Sequence, residues 1–192
     1  MEEAFHTTLL AARAGAEWAW RELYHDLAPG VLRYLRARGA PDPEELLGAV
    51  FLDVVRSLER FQGGEAQFRT WLFTIAHHRL VDEQRRRRRQ PSEPVAPESL
   101  SDVPRGDAEA DALRPFVDEE VRRRLDTLSD DQRDVVLLRV LIGLSIAETA
   151  EVLAKTPGAV KSLQVRGLAR LEREIARSAV SPGSRPAINE MP

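Results

Sequence analysis

From Glu17 to Arg38 the apolar residues Trp20, Leu23, Tyr24, Leu27, Val31, Leu32 and Leu35 recur at spacings of three and four, the repeat of an amphipathic helix. Pro29 and Gly30 interrupt that run. A proline inside a helix removes a backbone hydrogen bond, so a kink or break is predicted there. The stretch "PDPEELLGAVFLDVVRSLERF" predicts a second helix, with Asp42 as N-cap, Pro43 in its first turn and "QGGE" as its end. Its apolar stripe is Leu47, Val50, Phe51, Val54, Val55 and Leu58. A third helix is predicted from near Gln67, carrying Phe68, Leu72, Ile75 and Ala76 on one side. No segment alternates convincingly as a strand, and no internal repeat is found.

Beyond Val121 the punctuation sharpens. Ser129 is positioned to cap a helix containing Val135, Val136, Leu138 and Leu141, which Gly143 ends. Ser145, with Glu148 three residues on, predicts a capping box for a short helix from Ile146 to Leu153. Thr156 and Pro157 open a final helix through Arg177. Short helix, tight turn and longer basic helix is the helix-turn-helix plan, whose second helix enters the DNA major groove. In that plan Thr156, Ala159, Lys161, Ser162 and Gln164 face base edges, and Lys155, Arg166 and Arg170 face phosphates. Val160, Leu163 and Leu168 turn inward. An ordinary three-helix bundle with a solvated basic face fits the same spacing.

Charge divides the chain. The protein is acidic, at a formal net charge of -3, yet residues 69–89 hold seven arginines against Asp82 and Glu83, and Lys155–Arg177 holds six basic residues against Glu172 and Glu174. Between them, Pro91 to Asp118 carries five prolines among scattered acids, a composition that cannot bury enough apolar surface to order itself. The sequence therefore predicts an all-α protein of two small helical domains, at 1–90 and 120–178, joined by a flexible linker at 91–119. A frayed tail follows at 179–192. Hydrophobic residues at 43% and charged residues at 31% suit a soluble helical protein. The absence of cysteine excludes disulfides and thiolate metal sites. The acidic N-terminus does not read as a signal peptide, and no stretch approaches the roughly 20 apolar residues of a membrane span, so a cytoplasmic location is expected.

Three segments resemble, in order, the conserved regions of bacterial RNA polymerase sigma factors of the extracytoplasmic-function (ECF) group in the sigma-seventy family. "DPEELLGAVFLDVVRSLERF" is similar to the region that docks on core polymerase, "FRTWLFTIAHHRLVDEQRRRRR" to the region that melts and reads the minus-ten element, and "LSDDQRDVVLLRVLIGLSIAETAEVLAKTPGAVKSLQVRGLARL" to the helix-turn-helix that reads the minus-thirty-five element. The resemblance implies core-polymerase contacts at Glu44, Glu45, Leu47, Phe51, Asp53 and Val54, with the three apolar residues either anchoring the partner or filling the core. It implies minus-ten contacts at Trp71, Thr74, His78, Arg79, Arg85, Arg86, Arg88 and Arg89, where aromatic stacking contributes about 1–3 kcal/mol per base. It implies minus-thirty-five contacts at the residues already placed by the helix-turn-helix plan. The implied partners are core RNA polymerase, promoter DNA and, in many relatives, an anti-sigma protein.

The chain departs from the family pattern at several points. His78 stands where relatives usually carry Asn, Leu47 and Gly48 follow Glu45 where an Asp-Gln pair is common, and Leu163, Val165 and Gly167 replace other residues. Gly167 costs about 1 kcal/mol of helix stability relative to Ala. His78 and Asp82 share a helical face, but a third metal ligand is not evident. No phosphate loop, nucleophile elbow or catalytic carboxylate pair is found, so no cofactor, metal or enzymatic activity is expected. An autonomous helix-turn-helix regulator on a symmetric operator is the competing expectation. A helical adaptor for acidic proteins is a third.

Overall fold

The computed structural model describes residues 2–89 and 119–180, which form helices and turns with no strand among them. The expected linker lies outside the described residues except for Glu119. Of the expected tail, 179–180 finish the last helix and the rest lies outside the described residues. The helices are α1 (Glu2–Arg13), α2 (Glu17–Ala37), α3 (Pro43–Ser57) and α4 (Glu65–Arg89), then α5 (Glu119–Asp126), α6 (Asp130–Val136), α7 (Ile146–Val152) and α8 (Pro157–Val180). A single 3-10 turn, Leu58–Arg60, follows α3, and a π-turn, Leu137–Leu141, extends α6.

In the first module α2, α3 and α4 pack on one another and α1 closes one side. Leu9, Leu23, Val31, Leu35, Val50, Val54, Phe68, Leu72 and Leu80 are all nearly inaccessible. Each such side chain contributes about 1.5–3 kcal/mol on burial. The predicted break at Pro29 does not occur, and α2 runs unbroken across it. Pro29 is exposed, as is His25 one turn earlier, so the His25 carbonyl that loses a donor is left to water.

The second module follows the predicted punctuation closely. Ser129 and Gln132 form a capping box on α6, and Ser145 and Glu148 form another on α7. The Ser145 hydrogen bond holds the Glu148 carboxyl below its usual range. Gly143 lies at φ +81, in the left-handed region that favours glycine. Gly167 has a packing reason. A Cβ built there would sit 2.9 Å from Val136 Cγ2 and 3.6 Å from Gln132 Cβ, so its bare backbone lets α6 and α8 approach.

Candidate nucleic-acid interface

The acidic helix α3 begins where the sequence indicates, with the Glu45 amide donating to Asp42 Oδ1 at 2.8 Å. Glu44 is ion-paired with Arg36 of α2. Glu45 is exposed and in no ion pair among the described residues. Leu47, Phe51 and Val54 are 5%, 8% and 1% exposed, so they fill the core and cannot anchor a partner as they stand. Val55, expected on the buried stripe, is 48% exposed, and so are Leu52 and Tyr24. The Tyr24 ring leans on Phe51 at 4.7 Å, which joins α2 to this outward apolar strip. Sequence reasoning missed Leu52 and Tyr24; the available signal was an apolar surplus at helix positions outside the core stripe.

Asp53 and Arg79 were expected on two different surfaces, one for polymerase and one for DNA. The structure pairs them. Arg79 Nε and Nη2 donate to the two Asp53 carboxylate oxygens at 2.5 and 2.6 Å. These hydrogen bonds hold the Asp53 carboxyl below the ordinary carboxylate range and raise Arg79.

On α4 the predicted outward face is only partly free. His78, Asp82 and Arg85 are exposed, while Thr74 is half-buried and returns its hydroxyl to the Thr70 carbonyl at 2.9 Å. Trp71 is half-buried, stacked on Phe61 at 5.0 Å and edge-on to Phe68 at 5.4 Å. It lines a cleft of about 460 Å³ with Ser57, Arg60, Gln62 and Gln67, and with Glu151 of the second module. The arginine run is divided. Arg86 and Arg87 pair with Glu83, and Arg88 reaches Asp130 at 3.6 Å. Arg85 and Arg89 are in no ion pair among the described residues.

In the helix-turn-helix, the Thr156 hydroxyl accepts from the Ala159 amide at 3.2 Å and so caps α8. Ala159, Lys161, Ser162, Arg166 and Arg170 are exposed on α8. Gln164 is half-buried and accepts from Arg139 at 3.3 Å, and Lys155 is paired with Asp131 at 3.0 Å. Val160 is fully buried and Leu163 half-buried, but Leu168 is 41% exposed and does not turn inward as expected. Exposed Val165 beside it continues an outward apolar strip.

The two modules meet through polar groups that nothing in the sequence periodicity announces. Tyr34 and Arg38 of the first module are buried against Asp134 of α6. The Tyr34 hydroxyl donates to Asp134 Oδ1 at 2.9 Å, and Arg38 Nε lies 2.6 Å from the same oxygen. Because the phenol has one proton, His77 Nδ1, 3.0 Å from the Tyr34 oxygen, is the donor in that contact. Burial pushes the Tyr34 hydroxyl and the Asp134 carboxyl up and the His77 imidazole down. Arg69 donates to the Ile142 carbonyl at 2.9 Å, and helix α4 lies along α7. Among the described residues no cluster of His, Asp and Glu could hold a metal ion, and no helix is long and apolar enough to cross a membrane.

Comparisons with known proteins agree with the two-module division. A family model described as Sigma-70 region 2 matches residues 21–90, and one described as Sigma-70, region 4 matches residues 118–171. The chain is 32% identical over 181 residues to the ECF RNA polymerase sigma factor SigD of Mycobacterium tuberculosis, covering 90% of this chain and 84% of that protein. It is 30% identical over 167 residues to the ECF RNA polymerase sigma factor ShbA of Streptomyces griseus, covering 82% and 87%. Among solved structures the fold is similar to CnrH in complex with the cytosolic domain of CnrY, at TM-score 0.66 and 22% identity, covering 91% of this chain and 98% of that one. It is also similar to the sigma factor RpoE in complex with the anti-sigma factor NepR from Bartonella quintana, at TM-score 0.64 and 21% identity, covering 84% and 98%.

Proposed function

The chain belongs to the sigma-seventy family and is an RNA polymerase sigma factor of the ECF group, and from that premise we propose how its surfaces divide the work. Core polymerase docks on α3 and the adjoining edge of α2, through Glu45 and the outward apolar residues Leu52, Val55 and Tyr24. Leu47, Phe51 and Val54 support that helix from beneath. An exposed acid beside an exposed apolar strip fits a partner surface that is basic at its rim and apolar at its centre.

The outward face of α4, with Thr74, His78, Asp82 and Arg85, and Trp71 at its cleft, contacts the minus-ten element. Arg85 and Arg89 meet its phosphates directly; Arg79, Arg86 and Arg88 must first give up carboxylate partners. Each phosphate neutralised on duplex DNA steepens the salt dependence by about 0.9 log units per log unit of salt. Helix α8 enters the minus-thirty-five major groove with Ala159, Lys161 and Ser162 toward the bases and Arg166 and Arg170 toward phosphates. Thr156 fixes the helix start, and Lys155 and Gln164 contribute once released from Asp131 and Arg139. The polymerase performs the chemistry, and this protein selects where it begins.

A solved structural relative is bound to a protein named as an anti-sigma factor. A comparable partner for this chain would have the exposed strips at Leu52–Val55 and Val165–Leu168 available to it. The observation that carries the functional assignment is the ordered pair of cationic helical modules, preceded by an outward acidic and apolar helix.

Reconstitution with core polymerase, followed by mapping of transcription starts on a genomic template, tests it. A shared pair of upstream motifs is the expected result. Binding to a two-fold symmetric operator without polymerase would instead support a stand-alone regulator.

A further inference from the structure

Helix α1 reaches across the first module to the turn that follows α3, and it holds that turn by one backbone atom. The Arg13 guanidinium, at the end of α1, donates to the carbonyl of Phe61, 48 positions away. Phe61 is buried; its ring stacks on Trp71 at 5.0 Å and meets Phe68 edge-on at 5.2 Å. Phe5, on the same helix as Arg13, meets Phe68 edge-on at 5.4 Å. Helix α1 therefore grips this aromatic cluster twice, once by a ring and once by a hydrogen bond.

The turn it grips forms one wall of a cleft. Ser57, Arg60, Phe61, Gln62, Gln67 and Trp71 line that space of about 460 Å³. Gln67 Oε1 accepts from the Gly64 amide at 3.1 Å, so its NH2 group is left to donate to a ligand. The Ser57 hydroxyl donates to the Asp53 carbonyl, which leaves its oxygen as an acceptor. Arg60 adds further donors. Aromatic faces with donors and an acceptor beside them suit one base lifted out of its stack. The rim itself is pliable, since Gly63, at φ +144, is followed by Gly64. A Cβ at Gly63 would lie 2.8 Å from Gln67 Cβ, so the rim residues are also closely fitted.

We propose that Arg13 is a positioning residue for promoter reading. By holding the Phe61 carbonyl it fixes Gln62, Gln67 and the Phe61–Trp71 pair, and so sets which base the cleft accepts. This rests on the reading, given above, of the Trp71 cleft as a contact to the minus-ten element. Stacking tolerates any base, because every base has a flat face. Discrimination comes from polar groups that a wrong base leaves unpaired, and it survives only while those groups are held in place. Releasing the Phe61 carbonyl therefore impairs selectivity more than it impairs binding.

The full-length chain assembled with core polymerase provides the test. Fork-junction DNAs, duplex upstream and single-stranded through the minus-ten element of a mapped promoter, carry each of the four bases at each unpaired position. The ratio of strongest to weakest binding measures discrimination. Arg13→Met is expected to lower that ratio about tenfold at one position, with other positions, core-polymerase affinity and helical circular dichroism unchanged. Arg13→Lys, which keeps a donor, is expected to restore most of it. Gly63→Ala, which displaces the same rim by its Cβ, is expected to change discrimination at that same position. An Arg13→Met chain that binds all four bases more weakly by one common factor overturns the proposal. If Trp71→Leu abolishes a discrimination that Arg13→Met leaves intact, the role of Arg13 falls and the cleft reading stands. Discrimination that neither variant alters overturns both.

Discussion

Arg79 of α4 holds Asp53 of α3 with two hydrogen bonds, at 2.5 and 2.6 Å. The pair ties the helix proposed to meet polymerase to the helix proposed to meet DNA, so disturbance of one surface reaches the other. Arg79 is 42% and Asp53 26% exposed at the side chain, and solvent screens their attraction. A double-mutant cycle with Arg79→Ala and Asp53→Ala is expected to give a coupling of about 1 kcal/mol by urea denaturation. Loss of polymerase binding on Asp53→Lys alone therefore reports α3–α4 geometry as much as direct contact.

Position on α3 separates docking from folding. Leu52→Asp and Val55→Asp are expected to lower affinity for core polymerase at least tenfold while stability changes by only about 0.5 kcal/mol, as is usual for surface sites. Leu47→Ala and Phe51→Ala are expected to reduce stability by about 2–5 kcal/mol, the usual cost of a core truncation. Binding by pull-down and unfolding by denaturant on the same four variants check both halves.

Gly167 tests whether close approach of α6 and α8 outweighs helix propensity. Gly167→Ala gains about 1 kcal/mol of intrinsic helix stability but places a Cβ 2.9 Å from Val136 Cγ2. Val136 is buried and β-branched, so it cannot swing aside freely, and overpacking of this kind costs about 1–3 kcal/mol. A net loss of about 1 kcal/mol is expected. Adding Val136→Ala to the same chain should make Gly167→Ala stabilising.

Ala154 is the only non-glycine residue at positive φ among the described residues, at +49, in the turn of the helix-turn-helix. A Cβ in the left-handed region costs about 1–2 kcal/mol, and glycine returns part of that as extra freedom in the unfolded chain. Ala154→Gly is expected to stabilise the protein by about 0.5–1 kcal/mol, measurable as a higher melting temperature.

The polar contact between the modules should weaken in mild acid. Burial holds His77 below its ordinary value, opposed by Asp134 and reinforced by Arg38, His78 and Lys155. The unfolded chain, in which His77 meets water, thus binds the imidazole proton more tightly. The stability that His77 contributes is complete above about pH 6.5 and declines as the pH falls below that value toward the lowered His77 pKa, while the raised Asp134 carboxyl acts in the opposite sense. Urea denaturation followed from pH 7.5 to 5.5 should show a loss of stability that His77→Gln removes.

Local chemistry explains how much of this molecule was legible in its sequence. The two capping boxes, the Asp42 cap, the Gly143 turn and the start of α8 each depend on residues within a few positions of one another, so spacing alone located them. The two cationic segments, and hence the nucleic-acid surfaces expected of them, were equally visible because charge is additive along a chain. Three-dimensional packing decided the rest. Which apolar residues of α3 face outward, why Gly167 is tolerated, and that Asp53 meets Arg79 across 26 positions follow only from helices brought side by side. Tyr34 and Asp134, a hundred positions apart, meet because two modules dock. A helix's periodicity records how one face is buried, but not which polar group on another helix will be waiting there.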